Sequence, residues 1–232
     1  MFDARIRPLI DPSLNKMGVV MARSGVSADA VTIAGFVIGM LAFPAVVAGY
    51  FPLAVLLIAV SRLADGLDGA VARATVKTDR GGFLDIVLDF IFYGAMPLAF
   101  AIYDPQANAL ACAVLLLSFF ANGTTFLAFA IMAQKRSLET SAQGVKSLYY
   151  MAGLAEGFET IAFLLAICLF PSWFAVMAYV YATLCFASAA GRVVLAWHTL
   201  DGVIDTDTSD DGRDTTVVSP ETQQPAPAPN PQ

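Results

Sequence analysis

Six apolar stretches, at about residues 29–49, 52–73, 83–103, 107–133, 152–170 and 172–197, limit what this chain can fold into. Each reaches roughly 20 residues, the length an α-helix needs to cross about 30 Å of hydrocarbon. None shows the strict alternation of a half-buried strand. An open strand in a bilayer would also leave backbone groups unpaired, so helices are the expected form. Composition agrees: 58% of the 232 residues are apolar and 14% charged, against about 25% charged in a soluble domain. The reading is an all-α integral membrane protein with six transmembrane helices. Residues 1–29 lack the apolar core and small-residue cleavage site of a secretory leader, so the first segment is expected to remain as an anchor.

The flanks divide the chain into three parts. Residues 1–28 place Ile6, Leu9, Ile10, Leu14, Met17, Val20 and Met21 at near-helical spacing among Arg5, Arg7, Lys16 and Arg23. This predicts an amphipathic helix lying at an anionic membrane interface. Pro8 and Pro12 are expected to confine it to about 13–23. Residues 29–199 form the six-helix domain. Residues 200–232 turn acidic and then proline-rich, a composition that predicts a disordered tail. The tail from 201 carries seven acids and one base, which accounts for the formal net charge of −6. The rest of the chain is balanced, and no nucleic-acid partner is expected.

Charge also orients the chain. Arg5, Arg7, Lys16 and Arg23 precede the first segment; Arg73, Lys77 and Arg80 lie between the second and third; Lys135, Arg136 and Lys146 lie between the fourth and fifth. The three opposite connections have no Lys or Arg. The positive-inside rule then places both termini and both polar loops in the cytoplasm of a bacterial-type inner membrane. Arg62 is the exception, inside the second segment, and is expected to turn toward a polar site. Cys112, Cys168 and Cys185 sit in apolar runs without metal-ligand spacing and read as small core residues. His198, beside Trp197, reads as interfacial.

One stretch breaks the apolar pattern: DGLDGAVARATVKTDRGGFLDIVLD, residues 65–89. A charge at the bilayer centre costs roughly 2.5–3.5 kcal/mol on insertion scales, so carboxylates in such helices mark a functional site. Asp65 and Asp68 are three apart and Asp85 and Asp89 four apart, so each pair shares a helix face. A turn at 74–82 lets the two pairs converge near the cytoplasmic ends of their helices. Four converging carboxylates repel one another, and divalent cations resolve the repulsion. All-oxygen ligands suit Mg2+, with Mn2+ and Ca2+ also compatible. Two pairs could hold two ions, a layout suited to phosphoryl chemistry, and Mg2+ commonly completes its shell with substrate phosphate. Gly66, Gly69, Gly81 and Gly82 permit close helix approach or admit a bulky ligand. Arg73, two turns beyond Asp65, could meet a phosphate or simply anchor the cytoplasmic loop.

This stretch resembles the signature of the CDP-alcohol phosphatidyltransferase family, D-x-x-D-G-x-x-A-R followed by G-x-x-x-D-x-x-x-D. Asp65, Asp68, Gly69, Ala72 and Arg73, then Gly81, Asp85 and Asp89, carry the match. The spacer from Arg73 to Gly81 holds seven residues, where the family usually has eight, which predicts a slightly tighter turn. The resemblance implies a six-helix, homodimeric enzyme that moves a phospho-alcohol group from a CDP-alcohol, here CDP-diacylglycerol, to a hydroxyl acceptor and releases CMP. It implies two divalent ions, Mg2+ or Mn2+, on Asp65, Asp68, Asp85 and Asp89, with Asp89 also the general base. It further implies that Gly69, Ala72, Arg73 and Gly81 line the nucleotide. The family's P-N-x-x-T element corresponds to Ala28–Thr32, where Thr32 fits the pattern. Asp29 departs from it and reads equally as a helix N-cap.

Acceptor choice is expected outside this stretch. Arg136 and Lys146 could meet an anionic acceptor, and Glu156 and Glu159, on one helix face, could meet hydroxyls or sit at a favourable helix start. Asn122, Thr124 and Thr125 could bond between helices or line a cavity. Two rival readings stand beside the transferase: a small transporter or non-enzymatic cation-binding membrane protein, which would spread its carboxylates across membrane depth, and a catalytically silent relative.

Overall fold

Caps and prolines set most of the helix boundaries. The computed structural model describes residues 3–135 and 157–200, with side chains from Pro12 onward, all within one compact unit, Met1–Asp201. Among the described residues every regular element is helical. The order is α1 Asp3–Arg23, α2 Ala28–Met40, α3 Ala42–Val47, α4 Phe51–Ala74, α5 Asp79–Tyr103, α6 Pro105–Lys135, α7 Gly157–Leu169 and α8 Phe174–Thr199, with a single 3-10 turn at Pro171–Trp173.

Several boundaries differ from the sequence expectation. Ser27, not Asp29, caps α2, its hydroxyl accepting from the Ala30 amide at 3.2 Å, which leaves Asp29 in the first turn. The first apolar segment is two helices broken at Leu41. Pro44 removes the amide that would bond back to Met40, so the chain tightens there. Thr78 caps α5 by accepting from the Gly81 amide at 3.1 Å, and Asp79 follows in the first turn, where a negative charge meets the helix dipole favourably. That cap starts the helix early and shortens the expected turn at 74–82 to residues 75–78. Finally, α1 runs through Pro8 and Pro12 instead of starting after them. A proline removes one backbone bond without ending a helix outright.

Glycines bring the helices together. A Cβ on Gly35 would lie 2.8 Å from the Ala64 Cβ, and one on Gly39 would be 3.0 Å from the Ser61 Cβ, so α2 seats directly on α4. Gly18 of α1 is buried against Ala70 of α4 by the same means. Such small-residue contacts are how helices pack in lipid, where hydrophobic burial between helices adds little. The core lies toward the other end of α4 and α5. Ile58, Phe92, Met96, Phe100, Leu115, Leu164, Ile167 and Phe174 are fully buried there. Phe100 and Phe174 stack at 4.7 Å with an interplanar angle of 5°, worth about 0.5–1.5 kcal/mol beyond area burial.

Four stretches, Ala28–Val47, Asp79–Tyr103, Pro105–Lys135 and Pro171–Thr199, are long and apolar enough to cross a membrane. α4 has 24 residues but carries Arg62 at its middle and Asp65, Asp68 and Arg73 beyond it. Only 13 residues of α7 are described. Large apolar side chains, among them Leu110, Phe120 and Trp197, face outward around these helices. A surface of that kind suits lipid contact and not water. The protein is an integral membrane protein.

Candidate active site

Three helices supply the polar centre. α4 contributes Ser61, Arg62, Asp65 and Asp68, α5 contributes Asp85, Asp89 and Tyr93, and α2 contributes Thr32. The helical repeat puts Arg62, Asp65 and Asp68 on adjoining turns of one face, and Asp85, Asp89 and Tyr93 at four-residue steps on another. Close seating of α2 on α4 then aims Thr32 at Asp68.

Two groupings result. In the first, one carboxylate oxygen each from Asp65, Asp68 and Asp85 lies within 4.8 Å of the others. Thr32 donates to Asp68 Oδ2 at 2.6 Å. In the second, Arg62 Nη1 donates to Asp89 Oδ1 at 2.7 Å, and the Tyr93 hydroxyl donates to Asp89 Oδ2 at 3.0 Å. Arg62 bridges the two groupings, because its Nη1 also lies 3.5 Å from Asp65 Oδ1. Its Nη2 donates to Ser61 Oγ at 3.2 Å, and its guanidinium carbon sits 4.9 Å from the centre of the Phe92 ring. A cavity of about 10 Å3, lined by Thr32, Ser61, Arg62, Asp65, Asp85 and Asp89 among others, opens between them. That is close to the room one water or one ion requires.

The remaining motif residues lie toward the 75–78 turn. Arg73 is exposed and holds Asn15 of α1, with Nε at 3.2 Å and Nη2 at 2.9 Å from Asn15 Oδ1. Arg80 pairs with Asp29 at 2.5 Å. A Cβ on Gly81 would fall 3.1 Å from Asp29 Oδ1 and 3.2 Å from Thr78 Oγ1, so the glycine lets α5 start against α2. A Cβ on Gly69 would meet only Arg73 Nη1, at 3.4 Å. Ala72 is half-buried on the same turns. Arg73 and Arg80 are thus occupied elsewhere, and Arg62 is the one described cation within the carboxylate cluster. It bonds Asp89 and stands 3.5 Å from Asp65, so a single described cation faces four carboxylates.

That donor set fits a divalent ion. Three carboxylate oxygens within 4.8 Å of one another are near enough for side-chain rotation to bring them onto a shared ion. The ligands are all oxygen, which favours Mg2+, Mn2+ or Ca2+ over zinc.

Of the residues expected at the acceptor end, Arg136, Lys146 and Glu156 lie outside the described residues. Glu159 stands half-buried in the first turn of α7. Next to it Thr160 and Tyr181 hydrogen-bond at 3.0 Å. A Cβ on Gly157 would sit 3.9 Å from the Tyr93 hydroxyl, so the start of α7 flanks the Asp89 end of the cluster. Asn122 bonds between helices: buried Arg192 of α8 donates to its Oδ1 at 2.6 Å and to its carbonyl at 3.1 Å. Thr125 lines a cavity of about 430 Å3 between α6 and α8, and Thr124 is exposed. The residues that sequence reasoning passed over are Tyr93, Ser61 and Asn15. Tyr93 carried a signal, standing one turn beyond Asp89 on the same face. Asn15 carried none, since its contact depends on where α1 docks.

Fold and site together define a helical membrane enzyme built around an acidic centre. The chain belongs to the CDP-alcohol phosphatidyltransferase family, whose model matches residues 26–202. It is 43% identical over 200 residues to "Inner membrane protein YnjF" of Escherichia coli (strain K12), a match covering 86% of this chain and 97% of that protein. It is also 39% identical over 87 residues to "Archaetidylinositol phosphate synthase" of Pyrococcus horikoshii, covering 37% of this chain and 46% of that protein.

Proposed function

We propose that this protein transfers a phosphatidyl group from CDP-diacylglycerol to a hydroxyl acceptor and releases CMP, as a step of phospholipid synthesis in an inner membrane. The observation that carries this reading is the convergence of Asp65, Asp68 and Asp85 within 4.8 Å. Two divalent ions, Mg2+ or Mn2+, would be held by Asp65, Asp68 and Asp85 together with Asp89. When bound, they neutralise the donor's pyrophosphate and the charge that develops on it. Thr32 orients Asp68. Gly69, Ala72, Arg73 and Gly81 line the nucleotide, and Arg73 exchanges Asn15 for phosphate. Asp89 accepts the acceptor's hydroxyl proton as the new oxygen–phosphorus bond forms and the phosphorus–oxygen bond to CMP breaks; the proton then passes to water. The acceptor approaches from the α7 side, where Glu159 stands in the first turn; Arg136, Lys146 and Glu156 are further candidates for acceptor contact.

All six apolar segments cross the membrane in this reading. α4 turns Arg62, Asp65 and Asp68 inward. Both termini and the site face the cytoplasm, α1 lies at the interface, and two copies associate as a homodimer. Clustering of the carboxylates favours this over a cation pathway, which needs them spread along the helices.

The test is CMP release from CDP-diacylglycerol by the purified protein, with Mg2+ or Mn2+, across a panel of acceptors. Inositol phosphate leads the panel, given the archaeal relative's name, followed by glycerol phosphate and serine. Metal-dependent release with one acceptor is expected, and none with any of them counts against the reading. Asp89→Asn is expected to lower turnover by at least about 100-fold, the scale of general-base loss, with nucleotide binding retained; near-normal turnover removes its role as base.

A further inference from the structure

We propose that Asn15 of α1 is an autoinhibitory latch: it holds Arg73 folded back over Gly69, and a nucleoside diphosphate must draw that cation away before it can settle on the glycine. This rests on the nucleotide contacts proposed above for Gly69 and Arg73, and adds α1 as the element that controls access to them.

Arg73 stands in the last turn of α4, beside the 75–78 turn. The helix dipole favours a cation there, and a long basic side chain at such an end normally extends into water. Here it does the opposite. The side chain runs back along α4, and its Nη1 would lie 3.4 Å from a Cβ on Gly69. Asn15 draws it there, its Oδ1 accepting from Nε at 3.2 Å and from Nη2 at 2.9 Å. Take the guanidinium away and, among the described residues, nothing covers this glycine. The docking of α1 puts Asn15 in that place. Leu14 lies against Gly66, with its Cδ1 3.0 Å from a Cβ placed there, and Gly18 lies against Ala70. Asn15 falls between these two contacts, level with the 66–70 turn, so Arg73 must fold back toward the start of α4 to reach it. Both partners are exposed and one is neutral, so the contact is of modest strength. A phosphate offers charge-assisted, two-pronged bonds, each about twice as strong. The nucleotide therefore wins the arginine, yet binds less tightly than it would without a competitor. By linkage, the nucleotide weakens α1 docking by the same factor. The tether favours return. Only residues 24–27 separate α1 from α2, and the chain turns at Gly25 with φ of 80°. α1 can tilt from α4 but stays beside it, ready to retake Arg73 once the nucleotide leaves.

The probe is CDP, titrated calorimetrically into the full chain in detergent with saturating Mn2+. Asn15→Ala removes the acceptor and is expected to tighten CDP binding about 3–10-fold, the scale of one net hydrogen bond. Asn15→Asp gives Arg73 a charged partner and is expected to weaken CDP binding by a similar factor. Unchanged or weaker binding by Asn15→Ala overturns the proposal; the weaker result would make Asn15 a residue that aims Arg73 at the phosphate. Asn15 is exposed, so neither variant opens a core. A spin label at Lys16→Cys reads α1 directly, since Lys16 is exposed while Cys112, Cys168 and Cys185 are buried. CDP is expected to raise the label's mobility in the unsubstituted background and to add little beside Asn15→Ala, where α1 is already loosened. A label that stays immobile at saturating CDP overturns the proposal as well. Latch and transfer fail separately. If CDP affinity shifts in opposite directions in the two variants but no acceptor yields CMP, the reaction falls and the latch stands. If CMP is released and Asn15→Ala leaves CDP affinity unchanged, the latch falls and the reaction stands. If neither the unsubstituted chain nor Asn15→Ala binds CDP, there is no competition for Arg73 and the latch falls.

Discussion

Thr32 is the position at which metal holding and fold can be told apart. Its hydroxyl reaches Asp68 at 2.6 Å from a different helix, and Asp68 and Arg192 are the buried charged residues among those described. Thr32→Val keeps the shape and removes the donor. Losing a hydrogen bond to a charged, buried group costs about 1–3 kcal/mol, and partners of this kind typically change metal affinity about 10–100-fold. The expectation is a measurably weaker Mn2+ titration, with thermal unfolding still cooperative in metal-free detergent and lowered only by the few degrees that one lost bond accounts for. At this scale the sequence was informative about identity and less so about partners. Asp65, Asp68, Asp85 and Asp89 are conspicuous in an apolar chain because desolvation makes idle charge expensive. Which oxygen meets which donor depends on interhelical distances of a few ångströms, and no spacing along one helix encodes those.

Among the elements, α1 departs most from its sequence reading. Its residues suggested a helix lying at the interface; the structure adds that it docks along α4, over the turns bearing Gly66, Ala70 and Arg73. A Cβ at Gly18 would lie 2.7 Å from the Ala70 carbonyl carbon, and backbone cannot give way as a flexible side chain can. Gly18→Leu is therefore expected to displace α1, lowering stability by at least about 1–3 kcal/mol, the usual cost of overpacking. Thermal unfolding in detergent, with exposed Lys16→Ala as the control, reads this out. An unchanged melting temperature for Gly18→Leu would show that α1 is not seated on α4 as described. The turn between α4 and α5 teaches a related lesson. Its polar residues marked a connection, but Thr78 and Asp79 are a cap and a first-turn acid, so the helix begins sooner than polarity alone suggests.

For the whole molecule, the crowding of three carboxylates predicts that metal acts on stability and not on catalysis alone. A ligand at 100 times its dissociation constant stabilises the native state by about 2.7 kcal/mol. For a chain of this size that raises Tm by roughly 5–10 °C. Saturating Mg2+ or Mn2+ should produce such a shift, and a chelator should reverse it. Asp85→Asn should abolish the shift while raising the metal-free Tm, because one repelling charge is gone. The reverse order, with Asp85→Asn less stable than the metal-free parent, would mean the cluster is already neutralised by other means. Orientation is tested at this scale too. Cys112, Cys168 and Cys185 are buried, whereas Val76 is 74% exposed in the α4–α5 turn. Val76→Cys should react with an impermeant maleimide in inverted inner-membrane vesicles and not in intact spheroplasts. Labelling from the outside would reverse the topology read from the loop charges.

By itself, the sequence determined that this chain is helical and membrane-embedded, since long apolar runs have no other stable form in lipid. It also singled out the carboxylates at helical spacing, and three of the four, Asp65, Asp68 and Asp85, do converge. It foresaw that Arg62 would turn inward, since a lone arginine in such a helix must find a partner. Only the tertiary structure decided which partner. Asp65 lies one turn away on the same helix and Asp89 lies on another, and the shorter contact is the one between helices. Packing of Ser61 and Phe92 around the guanidinium settles that choice, and such packing arises only when α4 and α5 are placed side by side.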